Sequence, residues 1–178
     1  MNDLLLLATL LEGPKHGYAL KKQAGLISGQ TNMHNNLVYP LLRRFVREQW
    51  VTQKKTAGER GQTRQVYSLT PLGRHALITR VRDFNETAAI SAEEFRLRVG
   101  LFPVLDSASR AQILHARQAY LEKRAERFAP LQRAMNLGKY GNEVVRFIRQ
   151  QIAAELTWIE RLRRMDPHAR RKAARQKE

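Results

Sequence analysis

Hydrophobic spacing changes period once in the first half of the chain, and the change separates helix from strand. The run "LLLLATLL" is stopped by Gly13-Pro14, so a first helix is expected over residues 3–12 with Asp3 as its cap. "HGYALKKQ", residues 16–23, reads as a second short helix ended by Gly25. After the polar stretch "SGQTNMHNN", a third helix is predicted over about residues 36–49. Its apolar stripe Val38, Leu41, Leu42 and Phe45 faces inward. "WVTQKK" and "RQVYSL" then have the composition of short strands. Around "TAGERGQT" they predict a hairpin with a basic tip. Thr70-Pro71 joins a capping residue to proline at the first helical position, so a further helix runs toward Phe84.

The second half is helical throughout. "SAEE", residues 91–94, matches a capping box ahead of an apolar stretch that ends at Phe102-Pro103. A long amphipathic helix follows over residues 107–135, with Leu114, Leu121, Ala125 and Phe128 at helical spacings, until "NLGKYGN" breaks it. The last helix sets Val145, Ile148, Ile152, Leu156, Ile159 and Leu162 on one stripe. Steps of three and four make a packing seam, within the chain or across a dimer. From Asp166 onward apolar residues give way to a basic tail, expected to be disordered.

Helix, helix, helix, hairpin, helix is the order of a winged helix-turn-helix. The expected fold class is therefore mainly α. Residues 1–84 would form a winged helix of three helices and a two-stranded wing. Residues 85–165 would form a helical, coiled-coil-like dimerisation domain, and 166–178 the tail.

Composition narrows the function. A hydrophobic fraction of 43% supports a real core, and the absence of cysteine excludes disulfides and thiolate metal sites. The longest apolar run is far shorter than the roughly 20 residues a membrane span needs. Asn2 and Asp3 precede it, where a signal peptide would carry positive charge. The expectation is a soluble, unexported, cytoplasmic protein associated with the nucleoid.

The net charge is +16 and unevenly placed. Residues 1–84 hold 13 Lys/Arg against 5 Asp/Glu, residues 85–160 hold 11 against 9, and residues 161–178 hold 8 against 2. Basic ends around a nearly neutral middle point to a polyanionic partner, with double-stranded DNA ahead of a generally solubilised surface or an anionic membrane.

The third predicted helix carries the sharpest chemistry. Asn36, Tyr39, Arg43 and Arg47 share a face away from the apolar stripe, and Pro40 dates the helix start to Asn35 or Asn36. A helix N-terminus offers free N–H groups and a positive dipole to a phosphate. Asn bonds adenine and Arg bonds guanine at the major-groove edge, so His34, Asn35 and Asn36 are candidate base readers. Tyr39, Arg43 and Arg47 are candidate phosphate clamps. Lys54, Lys55, Arg60 and Arg64 would place a basic wing along the backbone or in the minor groove. The bland reading, a solvated polar helix end, loses ground because a basic hairpin follows it.

Three blocks in this order resemble the PadR family. "LLATLLEGPKHGYALKKQ" is similar to its opening, "NNLVYPLLRRFVREQWV" to its recognition helix, and "VYSLTPLG" to the segment closing its wing. Val38 stands where that family usually has Leu, and Gln49-Trp50 where it has Glu-Gly. The resemblance implies a dimeric bacterial transcriptional regulator, often a repressor, with a helical dimerisation domain. "ELTWIERL", residues 155–162, looks like the end of that domain. Leu114, Leu121, Phe128, Ile148, Ile152, Leu156 and Ile159 are the expected dimerisation residues. Some members bind planar aromatic molecules between subunits, so a small aromatic effector is a further candidate partner. Phe95, Phe102, Tyr120 and Trp158 would line its cavity, although at helical spacing they read first as core.

His16-Gly17-Tyr18 reads as structural, with glycine allowing close helix contact. Five histidines without a His-x-x-x-His pair, and no nucleophile or phosphate-loop motif, lead us to expect no metal, no cofactor and no enzymatic activity. The leading function is a homodimeric, sequence-specific regulator on a pseudo-palindromic operator. The alternatives are a sequence-indifferent architectural protein, favoured by "ARRKAARQK", and a protein-interaction module.

Overall fold

Four consecutive leucines, Leu4 to Leu7, are all buried, so the first helix, α1 (Asn2–Thr9), is core on every side. In the computed structural model, which describes residues 1–27, 34–57, 63–134 and 137–166, α1 packs on two later helices. These are α2 (Gly17–Ile27) and α4 (Pro71–Arg82). Between α1 and α2 lies a two-residue strand, β1 (Lys15–His16), too short to show as periodicity. The third helix, α3 (Asn35–Arg47), is followed by β2 (Val51–Ala57) and β3 (Thr63–Leu69). The sheet is antiparallel in the order β1-β3-β2, with Val51 opposite Leu69, Lys54 opposite Val66 and Lys15 opposite Tyr67. The expected two-stranded hairpin, β2 with β3, is present, and β1 adds a third strand to its sheet.

Two other local expectations are corrected. Asp3 does not cap α1; its carboxylate accepts from Arg44 of α3. Gly25 does not end α2, which runs on to Ile27 with Gly25 buried.

The turn from α3 into the wing is held by the start of α4. Gln49 adopts the left-handed conformation at φ 59°, which reverses the chain after α3. Thr70 caps α4 by accepting the Gly73 N–H at 2.9 Å. Its hydroxyl is also 2.7 Å from the Gln49 carbonyl and 3.0 Å from that of Trp50. Gly73 is required here, because a Cβ at this position would lie 2.0 Å from the Trp50 carbonyl oxygen. Trp50 lies against Phe45 and under the Arg80 guanidinium, 4.1 Å from its ring centre.

The chain divides into two compact units, Met1–Asp83 with Arg96–Val104, and Phe84–Phe95 with Leu105–Glu178. The second contains α5 (Glu86–Ile90), the start of α6 (Ala92–Gly100), α7 (Ser107–Ala134) and α8 (Gly138–Met165). Ser91 accepts the Glu94 N–H at 3.2 Å, which is half of the expected capping box. α7 and α8 pack against each other. α8 opens inside "NLGKYGN", with Gly138 at φ 60°, seven residues before the apolar stripe begins. Among the described residues no helix is long and apolar enough to cross a membrane.

At the centre of the second unit lies Arg117, only 2% exposed. Its Nε and one terminal nitrogen donate to the two carboxylate oxygens of Glu155, both at 2.8 Å. The other terminal nitrogen donates to the carbonyls of Ala89 at 2.5 Å and Ile90 at 3.0 Å. One side chain therefore ties α5, α7 and α8 together. A fully paired, hydrogen-bonded guanidinium is the form in which a charge tolerates burial.

Candidate nucleic-acid interface

The underside of α3 fixes what its upper face presents. Val38 and Phe45 are wholly buried and Leu42 nearly so, with Leu41 half-buried beside them. Arg44 leans over the edge of this core, bound to Asp3 and 3.8 Å from Glu48. It pins α3 to α1 and is withdrawn from the outer face. The remaining polar residues point outward: His34, Asn35, Asn36, Tyr39, Arg43 and Arg47 are all exposed.

His34 stands at the N-cap in an extended conformation, with no side-chain cap. Its carbonyl accepts from Leu37 and Val38, so the N–H groups of Asn35 and Asn36 have no partner among the described residues. These are the free donors expected at a helix start, and they open beside the two asparagine side chains. Pro40 sits in the second turn, where its missing N–H is the one that would have reached Asn36.

The wing carries its cations on two faces. Lys54 lies opposite Val66 and so shares a face with Arg64, two residues away along β3. Lys55 lies opposite Gln65 and points the other way. All three are exposed, and β2 beyond Val51 is exposed on both faces, as suits a ribbon free to meet a partner. Arg60 and the tail from residue 167 lie outside the described residues.

Sequence reasoning missed a cleft of about 440 Å³ between this helix and the wing, lined by His16, Tyr18, Tyr39, Arg64 and Tyr67 among others. A Cβ on Gly17 would lie 3.1 Å from the Tyr39 ring, so glycine lets that ring lie against the start of α2. The His16 Nδ1 accepts the Ala19 N–H at 3.2 Å, and its ring stacks with exposed Tyr18. Burial, then the neighbouring Tyr39, pushes the Tyr67 hydroxyl above its ordinary value, while Arg43 pulls the other way. "HGY" was the available signal, and it reads as packing alone until β1 brings it beside β3.

Of the expected dimerisation residues, Leu114, Leu121, Ile152 and Ile159 are buried within the chain itself. Phe128, Ile148 and Leu156 are half-buried. Tyr140, Val144 and Phe147 instead leave apolar surface open on α8, at 85%, 56% and 55% exposure. Phe95 is fully buried and meets Trp158 edge to face at 5.5 Å, so this pair fills space and does not line a cavity.

A model of the Transcriptional regulator PadR-like family matches residues 6–79, which run from α1 through α3 and the wing into α4. Over this segment, under half of the 178-residue chain, the sequence is similar to the PadR-like family. Among solved structures, a transcriptional regulator from Clostridium thermocellum is similar at 20% identity, covering 49% of this chain and 86% of its own, with a TM-score of 0.44. The putative transcriptional regulator TA0346 from Thermoplasma acidophilum shares 27% identity over 50% of this chain and 81% of its own, at 0.41. Bacillus subtilis PadR, solved in complex with operator DNA, shares 16% identity over 92% of this chain and 97% of its own, at 0.45. No curated protein matches the chain. The chain thus has a PadR-like winged helix followed by a helical region.

Proposed function

We propose that this protein binds double-stranded DNA in a sequence-dependent way as a homodimer, and represses transcription from a pseudo-palindromic operator. The observation that carries the reading is the split of α3. Its apolar side is locked by Val38, Leu42 and Phe45, while Asn35, Asn36, Tyr39, Arg43 and Arg47 stand exposed on the other side. In helix-turn-helix proteins the first residues of such a helix meet base edges and the flanking cations meet phosphates. His34, Asn35 and Asn36 are the proposed readers. Tyr39, Arg43 and Arg47 are the proposed clamps, with Lys54, Lys55 and Arg64 extending contact along the wing.

Exposed Tyr140, Val144 and Phe147 support self-association through α8, since apolar residues four and three apart on one helix invite a partner helix. Half-buried Phe128, Ile148 and Leu156 would complete that surface. A small aromatic effector stays a separate proposal, to be tested by its effect on operator affinity.

Selection of bound fragments from genomic DNA, followed by footprinting, tests the reading. A protected site with two half-sites about one helical turn apart supports it. Uniform protection of every duplex replaces the regulator with a sequence-indifferent architectural protein. Failure to bind any duplex at low salt moves the function to protein interaction.

A further inference from the structure

Between α5 and α7 the second unit carries a groove of about 400 Å³. Its floor and wall are apolar: Ala89, Ile90, Ala116 and Ala119, with the half-buried Tyr120 ring. Ile90 is 57% exposed there, an apolar side chain left open beside a concave surface.

Along one side stand three cations, Lys123, Arg124 and Arg127. None of them is paired with a carboxylate among the described residues, and Arg124 rests over the Phe128 ring at 5.8 Å. Glu86 is the one acidic residue of the lining, so the charge around the groove is +3 against −1. A volume of this size fits a small ligand that buries an apolar body and leaves a charged head at the rim. A single carboxylate would neutralise only part of that excess, whereas a phosphate monoester, at nearly two negative charges near neutral pH, would match it.

We propose that this groove is a binding site for a phosphate monoester with an apolar body, the body on Ala119 and Tyr120 and the phosphate on Lys123, Arg124 and Arg127. The body is either a planar ring or an alkyl chain, and the two share the same head chemistry. The site is also wired into the unit around it. Ala89 and Ile90, which wall the groove, give their carbonyls to Arg117, and Arg117 holds Glu155 of α8. Occupancy therefore bears on the α5–α7–α8 joint, and a bound ligand raises the temperature at which this unit unfolds.

The test uses the full chain without DNA, so its outcome is separate from that of the regulator reading. 1-Naphthyl phosphate, dodecyl phosphate, 1-naphthalenesulfonate, 1-naphthol and inorganic phosphate are each titrated by calorimetry, with unfolding followed in parallel. The expected result is one site per chain for a naphthyl or dodecyl phosphate, and the tighter of the two identifies the body. The sulfonate, the neutral naphthol and bare phosphate should each bind at least about tenfold more weakly, since each lacks part of the match.

Two variants probe the site from different sides. Lys123→Glu with Arg127→Glu reverses the rim, and Ala119→Trp fills the floor. Each should cost about tenfold or more in affinity while the circular dichroism of the helices is retained. The proposal is overturned if neither phosphate binds up to millimolar concentration, or if both variants bind as the parent does. It is overturned equally if Ala119→Trp dissociates an oligomer and leaves ligand binding unchanged, because a second copy of the chain then occupies the groove.

Discussion

Arg117 and Glu155 face each other across α7 and α8 in a two-pronged ion pair, both hydrogen bonds 2.8 Å long, with the guanidinium almost wholly buried. The remaining nitrogen satisfies two carbonyls of α5, so removing the arginine orphans a carboxylate and two backbone acceptors at once. Arg117→Ala is expected to destabilise the second unit by about 3 kcal/mol or more, read from urea unfolding of the full chain. Arg117→Lys should recover little, because an ammonium cannot reproduce the fork. A loss below about 1 kcal/mol for Arg117→Ala would show that the pair is not the keystone described.

Gly73 and the Trp50 carbonyl are so close that even one methyl group must move the backbone. Gly73→Ala should cost about 2–3 kcal/mol and shift the wing relative to α4, visible as a change in Trp50 fluorescence. An alanine variant as stable as the parent would mean that the turn has slack the structure lacks.

Gln49 marks the opposite case, a side chain in a conformation that favours glycine. Gln49→Gly should stabilise the chain by about 0.5–1 kcal/mol, the relief of left-handed strain exceeding glycine's added freedom when unfolded. Thermal unfolding of the two forms settles it, and destabilisation would contradict the assignment.

The Tyr67 phenol is held above the ordinary value of 10.0 mainly by burial. The folded state therefore resists its ionisation. Stability from this group is intact below pH 10 and is lost as the pH climbs through its raised folded value. Absorbance titration of the phenolates should show one late component, and Tyr67→Phe should remove it. If the late component survives in that variant, another tyrosine is responsible.

Much of the first unit was legible because its signals are local. The stripe Val38, Leu42 and Phe45 sets the buried face of α3, and Thr70-Pro71 sets the start of α4. What escaped depends on distant partners. Asp3 has the residue type and place of a helix cap, yet its charge is claimed by Arg44, 41 residues away. β1 is two residues long and exists only because β3 lies beside it.

In the second unit, periodicity located the apolar seam but not what lies across it. Leu114, Leu121, Ile152 and Ile159 are buried within their own chain, and the open surface falls at Tyr140, Val144 and Phe147, off the recognised stripe. A lone arginine among many in a basic helix gives no sign of burial, so nothing in the sequence marks Arg117 as a core residue. The groove between α5 and α7 was illegible for the same reason: its wall and rim come from segments some thirty residues apart.

The three arginines of α3 should separate by role. Arg44→Ala should cost about 1 kcal/mol of stability, because its partner is Asp3, while the salt dependence of DNA binding stays as it was. Arg47→Ala should leave stability alone, weaken all duplexes alike and lower the slope of log K against log salt by about 0.9 for each phosphate no longer neutralised. Equal salt slopes for the parent and Arg47→Ala would remove Arg47 from the phosphate clamps.

The central claim, that the exposed start of α3 reads base edges, is tested most directly by the ratio of affinities for a selected duplex and a random one. That ratio is to be measured at one salt concentration for the parent and for Asn36→Ala. Removing a pair of hydrogen bonds to a base should reduce it by about 1–3 kcal/mol, with affinity for the random duplex nearly unchanged. An unchanged ratio, with Asn36 standing where it does at the mouth of the helix, would contradict the account.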